Sequence, residues 1–190
     1  MYKNPNHRNR VRIIGGECKS RIITFPDIDG LRPTADMVRE KLFNWLGQNL
    51  YGKSVLDLFS GSGVMGFEAA SRYAKHVVLI EKNRKALTYI QNNIKELKLN
   101  NLDAFCIDAF DYLQNNNNKF DIVLLDPPYA WNKWNELWKL LTNHLNNDAE
   151  IYIEAASHIE LPNNLISIKQ GKSGNSHFTL ARFTSETISL

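Results

Sequence analysis

The stretch Val55-Leu56-Asp57-Leu58-Phe59 runs directly into Ser60-Gly61-Ser62-Gly63-Val64-Met65-Gly66 and then into a helical pattern. A strand that empties through a glycine turn into a helix is the opening unit of an α/β sheet. The glycines allow the tight turn and let a ligand approach the backbone closely. From Ser54 onward the alternation repeats. Strands read at 54–59, 76–81, 103–107, 121–125, 150–154, 164–169 and 177–183, with helical patterns between the first five at 65–73, 83–97, 109–114 and 133–145. In the second of these, Leu87, Ile90, Ile94 and Leu97 form an apolar stripe behind Asn83, a good helix cap. The last two strands enclose Gly171-Lys172-Ser173-Gly174-Asn175, a hairpin signal with no helix between them. This order predicts a doubly wound, mostly parallel seven-stranded α/β sheet, with an antiparallel last strand at its far side.

The 190 residues, 43% hydrophobic and 23% charged, can bury a core without disulfide or metal, and read as one domain. It comprises a basic arm and hairpin over 1–30, a helix-bearing segment over 31–52 and the α/β core over 53–190. No apolar stretch reaches the roughly 20 residues that cross a bilayer, and the N-terminus has no apolar leader. Cys18 and Cys106 read as free thiols in a reducing cytoplasm, and the five scattered histidines propose no metal site.

Upstream of the core, Arg12-Ile13-Ile14 and Arg21-Ile22-Ile23-Thr24 flank Gly15-Gly16 and read as a β-hairpin. Thr34 reads as the N-cap of a helix whose Val38, Leu42, Trp45 and Leu46 face the core, while Arg39 and Lys41 face elsewhere. Net charge is +3, but residues 1–21 carry six basic side chains against Glu17 alone, a local +5 on a body of −2. A basic arm on a slightly acidic body suits a polyanion held at one end, and equally a solvated tail.

Two groups of residues carry chemistry. The glycine loop is a literal GxGxxG, and Glu81 stands twenty residues after Gly61 at the end of the second strand. Both fit a dinucleotide site, where that acid bonds ribose hydroxyls. However, Asp57 lies four residues before Gly61, where a carboxylate would repel a pyrophosphate but would orient the loop backbone or attract a cation. Asp108, after the third strand, is placed to accept from an adenine amine or to cap the next helix at Ala109. An adenine, a ribose and a positively charged amino-acid end together describe S-adenosylmethionine. The second group, Asp126-Pro127-Pro128-Tyr129, ends the apolar run Ile122-Val123-Leu124-Leu125. Two prolines hold the backbone extended beyond the strand, so a carboxylate, carbonyls and a flat ring face the cleft. Such a pocket suits a planar base with an exocyclic amine. If the first and fourth strands flank the switch point, both groups share one crevice although 69 residues separate Asp57 from Asp126.

With these motifs in place, the chain resembles the RsmD family of bacterial 16S ribosomal RNA guanine-N2 methyltransferases. The resemblance rests on Arg12-Ile13-Ile14-Gly15-Gly16, on Gly30-Leu31-Arg32-Pro33-Thr34, and on Val38-Arg39-Glu40 with Leu42-Phe43-Asn44-Trp45-Leu46. It also includes Asp57-x-Phe59-x-Gly61-Ser62-Gly63, Glu81 and the Asp-Pro-Pro-Tyr string, and spans nearly the whole chain. Glu17-Cys18-Lys19-Ser20 departs from the more basic, aromatic stretch usual in members. The resemblance implies a Rossmann-like class I methyltransferase that moves a methyl from S-adenosylmethionine to guanine N2 in small-subunit ribosomal RNA. Asp57, Phe59, Ser60, Gly61, Ser62, Gly63, Glu81, Lys82, Asp108 and Ala109 would hold the cofactor. Asp126 and the Pro127 carbonyl would accept the amine's N–H bonds, with Pro128 bracing the loop and Tyr129 stacking on the base.

The target base must be unpaired or flipped out to reach Asp126. Arg8, Arg10, Arg12, Lys19, Arg21, Arg32 and Arg39 are the candidates for phosphate contacts. With no added recognition domain, specificity would come from RNA shape, such as that of an assembled or assembling small ribosomal subunit. We expect a cytoplasmic monomer using no metal and no membrane. Two other classes stay open from the residues: an adenine-N6 DNA methyltransferase, which shares Asp-Pro-Pro-Tyr, and a non-enzymatic RNA-binding assembly factor.

Overall fold

A computed structural model describes residues 9–185. The elements in chain order are β1 (Arg10–Arg12), β2 (Ile22–Thr24), α1 (Asp36–Leu46), β3 (Ser54–Asp57), α2 (Val64–Ser71), β4 (His76–Ile80) and α3 (Arg84–Leu97). They continue with β5 (Leu102–Phe105), α4 (Ala109–Gln114), β6 (Phe120–Leu125), α5 (Trp134–Leu141), a 3-10 turn (Thr142–His144), β7 (Leu145–Ala155), β8 (Leu165–Ser173) and β9 (Ser176–Phe183).

Strands β3 to β9 form one sheet in the order β5-β4-β3-β6-β7-β9-β8. The pairs from β5 through β7 are parallel, and β9 is antiparallel to both of its neighbours. The order reverses between β3 and β6, so the crevice at the switch point opens beyond the carboxyl ends of those two strands. The antiparallel last strand lies at the far side of the sheet, as the hairpin predicts, though not at its edge. It is inserted between β7 and β8, because the short turn at Gly174 returns the chain inward and leaves β8 as the edge. Gly174 supplies the left-handed φ of +56° that this turn requires.

Period-two alternation divides the sheet into two faces. Val55, Val77, Leu79, Ile122 and Leu124 pack with Phe43, Phe67 and Ile90 on one side. Leu56, Val78, Val123 and Leu125 pack with Tyr112, Leu137 and Trp138 on the other. The α3 cap is as expected, with Asn83 Oδ1 accepting from the Lys85 and Ala86 amides. The helix expected over 133–145 is shorter: it ends at Leu141, passes through the 3-10 turn, and β7 begins at Leu145. Polar Asn146, Asn147 and Asp148 hid the start of that strand, whose first part lies before a register shift against β6.

The N-terminal segment is docked on the core. Its second strand coincides with the run Ile22-Ile23-Thr24, while the first is offset, with Ile13 and Ile14 in the loop rather than in β1. Ile14 N donates to Glu68 Oε1 (2.7 Å), Glu17 N to Ser71 O (2.8 Å) and Cys18 N to Ser71 Oγ (2.9 Å), while the Ser71 hydroxyl donates to Gly15 O (2.6 Å). A Cβ on Gly16 would sit 1.9 Å from Ser71 O, and one on Gly15 about as close to the Arg72 guanidinium. The two glycines therefore exist to bring backbone against the end of α2.

This dock corrects one assignment. Arg39 is fully buried, and donates to Glu68, Asp36, Thr34 O and Arg12 O. It cannot face phosphate, because its charge is neutralised inside by Glu68, which also pairs with Arg72. Removing one partner of such a cluster strands a buried charge, at a typical cost of about 3–5 kcal/mol. Of the other basic candidates, Arg10, Arg12, Lys19, Arg21 and Arg32 are exposed, whereas Arg8 lies outside the described residues.

Candidate active site

Beyond the carboxyl ends of β3, β4, β6 and β7 lies a cavity of about 660 Å³. That is within the range of pockets that bury most of a small ligand's surface. Its walls carry every expected cofactor residue except Gly63, the N-cap of α2, and all four residues of the Asp126–Tyr129 string.

On the β3 side, backbone bonds shape the loop. Ser60 N donates to Ile80 O (2.9 Å), Gly63 N to Ser60 O (2.6 Å), and the Ser60 hydroxyl to Asp57 O (2.9 Å). Gly61 and Gly63 have φ of +52° and +79°, and a Cβ on Gly63 would meet Phe67 and Ile90 at about 3 Å. The acids brace this frame. Glu81 accepts from Gly61 N (2.8 Å) and Asn83 N (2.7 Å), so one carboxylate joins the glycine loop to the start of α3. Asp57 is buried and accepts from Gly66 N in the first turn of α2 (3.1 Å). Burial, reinforced by the charges of Asp126 and Glu81, pushes its pKa up to about 8 despite that amide bond. Asp108 is exposed and caps α4, its Oδ1 accepting from Phe110 N (2.9 Å). Lys82 is exposed and Ala109 buried at the mouth of the same wall.

On the β6 side the string leaves the strand as expected, with a refinement. Pro128 O accepts from Trp131 N (2.8 Å), so a turn occupies this carbonyl, and no such bond involves Pro127 O among the described residues. Asp126 is partly buried, and Thr34 Oγ1 donates to its Oδ2 (3.3 Å). Thr34 is therefore not the N-cap of α1. Ala35 holds that position without a side-chain bond, and the threonine hydroxyl points into the crevice instead. Burial and the neighbouring charge of Glu154 push the Asp126 pKa up to about 7, with the Thr34 bond pulling it back. Tyr129 is 69% exposed at the rim, open for a flat partner.

Several site residues escaped the sequence. Glu154, at the end of β7, lines the crevice beside Asp126, and the buried Tyr152 hydroxyl donates to its Oε2 (3.0 Å). The rule that ligands gather at strand carboxyl ends would have flagged it. Trp131 meets Phe59 edge-on at 5.3 Å and Trp134 at 4.9 Å, and stacks near Phe110, forming an aromatic wall. Among the described residues no three His, Cys, Asp or Glu side chains gather as a metal site, and no helix is long and apolar enough to cross a membrane.

A seven-stranded sheet with one reversed strand beside its edge, a glycine loop braced by acids and an Asp-Pro-Pro-Tyr string across the switch point define a Rossmann-like methyltransferase. Residues 11–182 match the family described as conserved hypothetical protein 95, and the chain belongs to that family. It is 39% identical over 164 residues to ribosomal RNA small subunit methyltransferase D of Escherichia coli strain K12, covering 84% of this chain and 83% of that one. The protein of the same name from Haemophilus influenzae is 37% identical over 180 residues, covering 90% and 93%. A solved Escherichia coli structure, named as a methyltransferase, superposes with a TM-score of 0.85 at 32% identity, over 93% of this chain and 99% of that one.

Proposed function

We propose that this protein transfers a methyl group from S-adenosylmethionine to the exocyclic N2 of a guanine in small-subunit ribosomal RNA. It does so as a cytoplasmic monomer, on an assembled or assembling subunit. The observation that carries the reading is the convergence across β3 and β6 of a glycine cradle with the carboxylate of Asp126. Relatives named as small-subunit ribosomal RNA methyltransferases favour this reading over a DNA adenine methyltransferase or a non-enzymatic factor.

The residues present fit the cofactor. Gly61 brings its backbone to the cavity wall, Glu81 stands where ribose hydroxyls would bond, and Asp108 keeps an oxygen beyond its cap bond. Asp57, held largely protonated by burial, would ionise beside a cationic amino-acid end, since an adjacent positive charge favours the carboxylate. Bound there, S-adenosylmethionine supplies a methyl on a positively charged sulfur, ready for in-line displacement by a nucleophile.

The chain's own groups prepare that nucleophile. A guanine N2 is weak because its lone pair conjugates with the ring. Asp126 and the Pro127 carbonyl accept its two N–H bonds, favouring a pyramidal nitrogen and stabilising the positive charge that develops there. Thr34 fixes the carboxylate, and Asp126, with its pKa near 7, is matched to take the released proton at neutral pH. Tyr129 offers its exposed face to the purine, and Arg10, Arg12, Lys19, Arg21 and Arg32 supply exposed positive charge for phosphates. The test is to incubate labelled S-adenosylmethionine with unmodified small subunits, naked ribosomal RNA and DNA, and to identify the product nucleoside. N2-methylguanosine from RNA is expected, and N6-methyladenine from DNA, or no transfer to any substrate, overturns the reading.

A further inference from the structure

Asp126 does not face the acceptor side of the crevice alone. In the parallel pair β6–β7, Leu124 lies opposite Tyr152 and Leu125 opposite Ile153. The next residue on each strand, Asp126 and Glu154, therefore falls side by side, on the sheet face that carries Leu124 and Tyr152. Adjacent strands are about 4.8 Å apart, so the two carboxylates are neighbours. Both line the cavity. Each also has one oxygen held by a hydroxyl: Asp126 Oδ2 by Thr34, and Glu154 Oε2 by Tyr152. Among the described residues no hydrogen bond reaches Asp126 Oδ1 or Glu154 Oε1.

Two neighbouring acceptors of like charge destabilise the empty site, and a ligand with two adjacent donors offsets that cost. Guanine is such a ligand, with N1–H and the N2 amine on adjacent atoms of one edge. Adenine and cytosine pair their amine with a bare ring nitrogen, whose lone pair would face the second carboxylate. A repulsive contact of that kind discriminates as effectively as an attractive one.

We infer that Glu154 is a specificity-determining residue, accepting N1–H of the target guanine while Asp126 accepts from N2. This rests on the proposed transfer to guanine N2 and adds how the base is chosen. A merely structural Glu154 would serve only to receive the Tyr152 hydroxyl, a bond that a glutamine oxygen also accepts.

The experiment compares reconstituted small subunits carrying either guanosine or 2-aminopurine riboside at the position the wild-type protein methylates. The analogue keeps the amine at C2 but has a lone pair at N1. Wild-type protein should prefer guanine in kcat/KM by about a hundredfold or more, as sites built around a buried hydrogen bond do. Glu154→Gln should lose guanine activity and, by turning its amide N–H toward the bare nitrogen, bring the preference within about tenfold. An unchanged preference in Glu154→Gln overturns the assignment. If wild-type protein makes no N2-methylguanosine, the underlying function fails instead, which is a separate result. Calorimetric binding of S-adenosylmethionine checks that the variant is folded. Should Glu154→Gln not fold, Glu154→Ala must show the same collapse of preference, and its retention there is equally fatal.

Discussion

The two halves of the crevice use carboxylates in opposite ways. On the β3 side, Asp57, Glu81 and Asp108 each accept backbone amides, so the acids stiffen the loop and helix starts around them. On the β6 side, Asp126 and Glu154 meet only hydroxyls and each other, and each keeps an outward oxygen. Backbone donors cannot be withdrawn without refolding a turn, so the first half is organised before any ligand arrives. The second half stores like-charge repulsion that a proton or a hydrogen-bond donor relieves. On the proposed function, the first half holds the cofactor and the second receives the base.

The sharpest break of this contrast is Asp126→Ala. Methyl transfer should fall about 10²–10³-fold, roughly 3–4 kcal/mol, while calorimetry finds the affinity for S-adenosylmethionine unchanged. Loss of both would mean that the halves are one unit. On the other side, Glu81→Ala removes the brace on Gly61 and Asn83. It should weaken cofactor binding by about 1.5–3 kcal/mol, with turnover at saturating cofactor nearly intact.

Smaller effects sharpen the picture at the rim. Tyr129→Ala should raise KM for RNA by the equivalent of about 1–3 kcal/mol of lost stacking, leaving cofactor affinity alone. The pH profile reports the crowded pair. Asp126 must be ionised to accept, so kcat/KM should climb through about pH 7 to a plateau, with the midpoint moving lower in Glu154→Gln. A flat profile over pH 5–9 would deny Asp126 its role.

A last test lies in the stable half. With its pKa pushed up to about 8, folded Asp57 keeps a proton that the unfolded chain has already released at neutral pH. Stability should therefore decline as pH rises from about 4 to 8, by at most about 1.4 kcal/mol per unit from this group. Asp57→Asn keeps an acceptor for Gly66 N and should flatten that slope in urea titrations at a series of pH values.

The residues on the β3 side were legible in the sequence because their signals are local. A glycine turn, an acid at a strand end and a cap before a helix all act within a few residues, so Gly61, Glu81, Asn83 and Asp108 fall where spacing places them. Asp126 was equally visible, since prolines end a strand regardless of what surrounds it. Arg39 was misjudged because helical spacing gives a face and not its neighbour. That face meets Glu68, and burial next to an opposite charge looks like surface in a single sequence. Thr34 likewise had the composition of a cap, yet its hydroxyl serves a residue 92 positions away.

Short-range backbone chemistry alone sets the alternating α/β plan, the glycine turn after β3 and the Asp-Pro-Pro-Tyr string after β6. Tertiary structure alone decided that β9 inserts ahead of β8, that the Gly15-Gly16 turn is clamped to α2, and that Glu154 stands beside Asp126. Those outcomes depend on strand order and register, which pair residues distant in the chain and leave no periodic trace in either partner.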